Sequence, residues 1–425
     1  GWTRWTAVCT ARCRPESRFL WATIEMSETR AQYIGPVLSG RLRSLDVLRG
    51  ATVALIILVN NPGSWHHLFS PLAHAGWHGC TPTDLVFPFF LFAVGNALAL
   101  VMPQLLAAPP KVFWAKWARR SGLIFGLGLL LNAAPFVRWD AAGDLVLREG
   151  GQLRIMGVLQ RIALCWALAA LIVRGLGERI ATLSIGVLLL GYWAACAWLG
   201  DPSDPYGLMG WFGTEIDRAV FGTLHLYRGE GIAFDPEGLA STAPAVAQVL
   251  IGWWVGQRLQ RGGANAATVA SLFTTAVVLG VLAYAWQLGM PINKKIWTSS
   301  YVLLTSALAI AALATLVWHV DMAAPNAQAV PWWQSASEAF GKNALFVFVL
   351  SGLIPRLLGL LRWADGVGAN GEPRFITPLP WLYRTLFEGL GSDPRLGSLL
   401  FALANLAAYW ALAAWLDRRR IYIKL

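Results

Sequence analysis

Asp84-Leu-Val-Phe-Pro-Phe-Phe-Leu-Phe-Ala-Val-Gly-Asn-Ala-Leu-Ala-Leu-Val-Met-Pro-Gln104 carries one charge, at its first position. At ~1.5 Å per residue such a run covers about 30 Å, the hydrocarbon thickness of a bilayer. Comparable runs fall at approximately 45–61, 117–134, 155–174, 180–199, 243–258, 267–289, 297–319, 337–361 and 396–416. Over 425 residues the chain is 56% hydrophobic and 13% charged, about half the charge of a soluble domain. In lipid only helices and closed barrels satisfy their own backbone, and continuous apolar runs exclude the alternation of a barrel. The expected fold is all-α, a polytopic transmembrane helical bundle of about ten spans.

The net charge is +11. The basic residues gather in short links: Arg41 and Arg43, then Lys111, Lys116, Arg119 and Arg120, then Arg174 and Arg179, then Arg258 and Arg261, and finally Arg418, Arg419, Arg420 and Lys424. The positive-inside rule puts all of them on one face, with both termini cytoplasmic. No basic patch with interleaved aromatics lies outside these links, so the expected partner is a lipid bilayer and not nucleic acid. Cys9, Cys13, Cys80, Cys165 and Cys196 show neither metal-ligand nor disulfide spacing, and no metal is expected. Residues 1–40 read as an N-terminal extension without order, ahead of a membrane domain over 41–425; Met26 looks like the natural start. An Arg-rich organellar targeting segment is the other reading of the first 25 residues. The opposite face receives longer loops, at 62–83, 135–154, 200–242, 290–296 and 362–395, the kind that carries function.

Polar groups stand at the mouths of several runs, where they are expensive and usually kept for chemistry. Thr81-Pro-Thr-Asp84 reads as a helix start, with Thr81 as cap, Pro82 first and Asp84 in the first turn. A carboxylate held there stays ionised and is able to orient an imidazole; His74, ten residues back across Gly76 and Gly79, is the candidate partner, and His78 the second choice. Asp46 and Arg49 are i, i+3 neighbours, either an interfacial ion pair or a phosphate contact. Arg161, beside Gln160, sits deep enough in its run to face the bundle interior, with snorkelling as the alternative. Asp235, Glu237 and Lys294 are candidates for a polar substrate, or ordinary loop and cap residues. They lie in Phe234-Asp-Pro-Glu-Gly238 and Pro291-Ile-Asn-Lys-Lys295, which, with Gly341-Lys-Asn343, are read as facing the non-cytoplasmic side. Gly122, Gly126 and Gly128 offer close helix contacts, within the chain or across a homodimer.

Together, Ser44 to Gly50, Val59-Asn60, His74-Ala-Gly-Trp77, Thr83-Asp-Leu-Val-Phe-Pro88, Gly157-Val-Leu-Gln-Arg161, Phe234 to Gly238 and Ile292-Asn-Lys294 resemble the heparan-alpha-glucosaminide N-acetyltransferase family. The resemblance covers roughly residues 41–420 and is most specific from His74 to Pro88. It implies transfer of an acetyl group from cytoplasmic acetyl-CoA to the amine of a glucosamine-type sugar across the membrane. It also implies His74 as the active-site histidine, with Asp84 and Asn60 beside it; Trp77, His78 and Asn293 join Asp235, Glu237 and Lys294 as candidate substrate-binding residues. His78 departs from the animal enzymes, which have asparagine there. The large lumenal domain of those enzymes has no counterpart in this sequence, so the expected location is a bacterial inner membrane and the natural acceptor is an open matter: free glucosamine, a cell-wall amino sugar or a chitin fragment.

Under this reading Arg49, Arg119, Arg120 and Arg161 are the candidates for binding acetyl-CoA, with the topology rule as their bland explanation. His74 oriented by Asp84 is the general base, and Asn60 a donor to the developing oxyanion. A route through acetyl-His74 competes with direct transfer. Two other functions stay open: acetylation of a saccharide hydroxyl, and a sugar permease, for which the matched broken helices of an inverted-repeat transporter are not evident.

Overall fold

The computed structural model describes residues 42–140, 142–322, 330–367 and 371–423. The extension at 1–40, Arg41 and Lys424 lie outside the described residues. Helix α1 (Arg43–Asn60) leads through the 61–81 loop to a 3-10 turn at Pro82–Leu85 that continues into α2 (Val86–Ala107). Then come α3 (Pro110–Ala133), a ribbon of β1 (Val137–Trp139) and β2 (Leu145–Leu147), and α4 (Val158–Leu199). Short α5 (Gly213–Phe221) precedes α6 (Thr242–Gly262), α7 (Ala266–Trp286) and α8 (Ser299–Leu316), the last ending in a π turn at Val317–Met322. The chain closes with α9 (Trp332–Lys342), α10 (Ala344–Leu358), a ribbon of β3 (Trp363–Val367) and β4 (Pro373–Ile376), α11 (Pro378–Leu386) and α12 (Pro394–Arg418).

Lipid gives no hydrophobic drive between helices, so close approach through small residues has to hold the bundle. Helices α2 and α6 meet in this way. A Cβ on Gly95 would lie 2.0 Å from the Val249 carbonyl oxygen, and one on Gly252 2.2 Å from that of Phe92. Helices α1 and α9 repeat the device, with Gly50 against the Ser337 carbonyl and Gly341 against that of Asp46. Of the glycines singled out in the sequence, Gly128 packs on Gln160, while Gly122 and Gly126 have no neighbour within 4 Å of a built Cβ.

The structure departs from the sequence expectation in three respects. Five described helices are long and apolar enough to cross a membrane, or six if α9 and α10, bent by 81° at Asn343, form one broken span; the expected ten is not reached. Helix α6 is nearly all buried against other helices, as is 67% of the apolar windows of α2 and α8. Helices α1 and α3 carry their charges inside the helix instead of beyond its ends. Second, the bundle is not purely helical, since two antiparallel ribbons cap it. Third, Gly341-Lys342-Asn343 does not share the end that holds His74. Lys342 pairs with Asp417 at 2.7 Å near the end of α12, and Gly341 abuts Asp46 near the start of α1. The predicted runs 155–174 and 180–199 correspond to two helical segments of α4 that meet at a kink, where Gly177 leaves the helical conformation (φ 73°). The start of α1 and the end of α12 lie at the same end of the bundle, linked by Arg43–Glu338 and Lys342–Asp417. Several long apolar helices make this an integral membrane protein.

Candidate active site

Asp84 is the hub at the opposite end. Thr81 and Asp84 form the capping box that their spacing requires, and the Thr81 amide donates to Asp84 Oδ2 at 3.0 Å. The same oxygen accepts from the Ala75 amide and the Thr81 hydroxyl, each at 3.0 Å. The other oxygen, Oδ1, lies 2.6 Å from His74 Nδ1. Asp84 is buried, whereas the His74 side chain keeps 46% exposure. A carboxylate oxygen only accepts, so this contact favours the neutral tautomer with the proton on Nδ1 and the lone pair on Nε2. Beneath, the Tyr301 hydroxyl donates to the Asp84 carbonyl at 2.5 Å.

Lys294 completes the cluster. Its Nζ is 3.3 Å from Asp84 Oδ1 and 3.0 Å from His74 Nδ1. Burial pulls this ammonium below the usual lysine range, with Asp84 opposing. Its loop is pinned. The Gly79 amide donates to the Ile292 carbonyl at 2.7 Å, from a backbone (φ +107°) that favours glycine. Asn293 Oδ1 accepts from the Lys295 and Ile296 amides at 2.7 and 3.1 Å. Cys80 lies in the same field, but burial, reinforced by Asp84, pushes its thiol up to about 12, so it is no nucleophile at neutral pH.

A second ionic group adjoins. Arg154 holds Asp235 through Nε (2.9 Å) and Nη2 (2.7 Å), and also binds Glu237. Burial disfavours the Arg154 charge, yet Glu237 and Asp235 outweigh it and hold the guanidinium above its usual range. Behind it, buried Arg161 donates to the Gly238 carbonyl at 3.0 Å and to the Ser241 hydroxyl, and lies 5.2 Å from the Trp297 ring centroid. Trp297 stacks on Tyr301, so Arg161 belongs to the floor of the His74 end.

The structure thus brings together His74, Asp84 and Lys294. It engages Asp235 and Glu237 with Arg154, and sets Asn293 to holding its own loop. Trp77 is a wall residue, its indole donating to the Tyr206 carbonyl at 2.9 Å; His78 Nδ1 is 3.3 Å from Asn293 Nδ2. Asn60 ends α1 exposed, without a side-chain bond to the cluster. Of the arginines grouped by sequence, Arg49 and Arg120 are close enough to repel, beside Asn96 and the cation–π partner of Arg120, Trp166. Arg119 is exposed and Arg161 sits apart from them. Sequence reasoning passed over Tyr301 and the role of Arg154, whose signal was only its place opening the Arg154–Arg161 motif.

No family model matches the chain. Human heparan-alpha-glucosaminide N-acetyltransferase is 28% identical over 335 residues, which is 66% of this chain and 49% of that protein. The mouse protein of the same name is 25% identical over 342 residues, 67% of this chain and 50% of its own length. The chain therefore spans about half the length of the curated relatives it matches. Over that stretch, two-thirds of its length, the chain is similar to heparan-alpha-glucosaminide N-acetyltransferases.

Proposed function

We propose that the chain transfers an acetyl group from acetyl-CoA, reached from the cytoplasmic side of a bacterial inner membrane, to the amine of a glucosamine-type sugar at the His74 end. The observation that carries this is the 2.6 Å contact between His74 Nδ1 and Asp84, which leaves Nε2 free to take a proton. The amine nitrogen attacks the acetyl carbonyl carbon and the carbon–sulfur bond breaks. The amine proton moves to Nε2 and then to the departing thiolate, so every atom is accounted for. A base positioned in this way supplies about 10²–10⁴-fold. Asp84 holds the ring and stabilises the imidazolium; Lys294 shares the same carboxylate oxygen.

The residues between the two ends suit a long, polar and anionic co-substrate. Arg49 and Arg120 are close enough to repel, and Asp46 pairs with Arg49. Arg120 Nε, Asn96 Oδ1, Trp166 Nε1 and Gln257 Oε1 are buried without a hydrogen-bond partner among the described residues. Buried polar atoms are normally satisfied, so such a group fits a bound partner. Arg49 and Arg120 would hold phosphates, and the amides of Asn96 and Gln257 a pantetheine-type arm. The activity for which the two relatives are named supports the same reading.

The test is to incubate the purified protein with acetyl-labelled acetyl-CoA and glucosamine, wild type beside His74→Ala. Label on the sugar nitrogen, lost in the variant, is the expected result. Label on a hydroxyl, or none on any amino sugar, would overturn the proposal.

A further inference from the structure

Outside the His74–Asp84–Lys294 cluster the chain builds a second polar group that the transfer chemistry leaves unused. Trp77 anchors it. Its indole bond to the Tyr206 carbonyl (2.9 Å) and its packing on Phe234 (5.6 Å between centroids) hold the 200–212 loop against the segment that carries His74. Asp204 is presented by a tight turn in that loop: its amide donates to the Asp201 carbonyl, and its own carbonyl accepts from the Gly207 amide, both at 3.1 Å. Asp201 is occupied with Ser203, at 2.8 Å to the amide and 2.7 Å to the hydroxyl. The Asp204 carboxylate acts electrostatically on His78, and burial keeps that imidazole below the usual histidine range. Asn293 backs His78 at 3.3 Å. Both Asp204 and His78 are exposed. Lys295 lies 5.6 Å over the Trp77 ring, its charge matched by Glu230 at 2.7 Å.

An exposed carboxylate, a neutral imidazole and an indole wall make a surface for hydroxyls and amines. His78 is four residues from His74, a reach of at most ~14 Å along the chain. The second ring of a linked sugar whose reacting amine is at His74 is within reach of His78 and of the loop that Trp77 holds beside it. A carboxylate accepts hydrogen bonds from hydroxyl or ammonium donors and repels sulfate.

We propose that Trp77, His78 and Asp204 form an outer subsite that takes the second ring of a linked amino-sugar acceptor and disfavours a sulfated ring there. This rests on the acetyltransferase reading above. It names the acceptor class as an unsulfated, amine- or hydroxyl-bearing oligosaccharide.

The experiment measures kcat/KM for the full chain in detergent with three acceptors: glucosamine, its β-linked disaccharide, and the same disaccharide sulfated on the second ring. The wild type is expected to prefer the plain disaccharide over the monomer by about tenfold or more, the worth of one charge-assisted hydrogen bond. Asp204→Ala should lower that ratio about tenfold. Asp204→Lys should raise the sulfated acceptor relative to the plain one. Each ratio is internal to one preparation, so a partly folded variant still reports. Equal use of monomer and disaccharide by the wild type, or a ratio unmoved by both substitutions, overturns the subsite and leaves the transferase reading standing. Absence of transfer to every acceptor overturns both.

Discussion

Replacing Asp84 by Asn tests the site through a single atom. The backbone around Asp84 Oδ2 offers donors only: the Ala75 and Thr81 amides, with the Thr81 hydroxyl, each at 3.0 Å. An asparagine must turn its carbonyl to them, which aims its NH2 at His74 Nδ1, where Oδ1 now sits at 2.6 Å. A donor facing Nδ1 favours the tautomer with the lone pair on Nδ1 and the proton on Nε2. That loses one charge-assisted hydrogen bond and rewards the opposite tautomer, a swing of about 3–6 kcal/mol, or ~10²–10⁴ in the population with a free Nε2. The expected result is kcat down by about 10³–10⁴ with KM changed only a few-fold, because the ring stays in place. Asp84→Ala is the contrast: it strands three donors and should destabilise the fold by about 3–5 kcal/mol as well. Initial rates of labelled acetyl transfer, alongside thermal unfolding, separate the two effects. An Asp84→Asn protein that retains more than about a tenth of wild-type kcat would refute the reasoning, since no tautomer switch of this size allows it.

Other substitutions probe neighbouring parts of the structure. Lys294→Met removes the second donor to Asp84 Oδ1 (3.3 Å) and should lower kcat about 10–100-fold and shift the pH–rate profile; Lys294→Arg, which keeps the charge, should recover most of the rate, and equal losses in both variants would argue for packing alone. Gly95→Val places a side chain where a Cβ already meets the Val249 carbonyl oxygen at 2.0 Å, so α2 and α6 must separate. A loss of at least ~2–3 kcal/mol in thermal or denaturant unfolding is expected, and an unchanged midpoint would contradict the packing. Asp217 is fully buried on α5, one oxygen bonded to the Leu239 amide (2.8 Å) and the other without a partner among the described residues. Burial raises its carboxyl from 3.8 to about 6. Its folded pKa is the higher one, so its contribution is present in full below pH ~3.8 and lost as pH rises through ~6, about 3 kcal/mol in all. Asp217→Asn should therefore be more stable than wild type at pH 7 and not at pH 4, as measured by urea unfolding at the two values.

The sequence by itself determined the membrane class, because lipid leaves a chain few ways to satisfy its backbone and the apolar runs had the length of helices. It determined the Thr81–Asp84 cap, a local motif complete within four residues, and it pointed to His74 as the partner ten residues away. Tertiary structure decided the rest. Apolar length did not show which runs lie inside the bundle: α6 is almost entirely enclosed by its neighbours, whereas only 22% of the apolar window of α7 is buried in protein. Charge type did not reveal pairing: Asp235 and Glu237 read as substrate contacts until Arg154, 81 residues away from Asp235, proved to hold both. Lys294 reads as a substrate contact or an ordinary loop residue, and the Gly79–Asn293 bridge accompanies its approach across 220 residues to His74. Arg161 and Arg120 are both arginines inside apolar runs, yet they occupy different ends of the interior. A helix fixes which residues share a face within a turn or two, and contacts between helices depend on how the bundle packs, which no local pattern encodes.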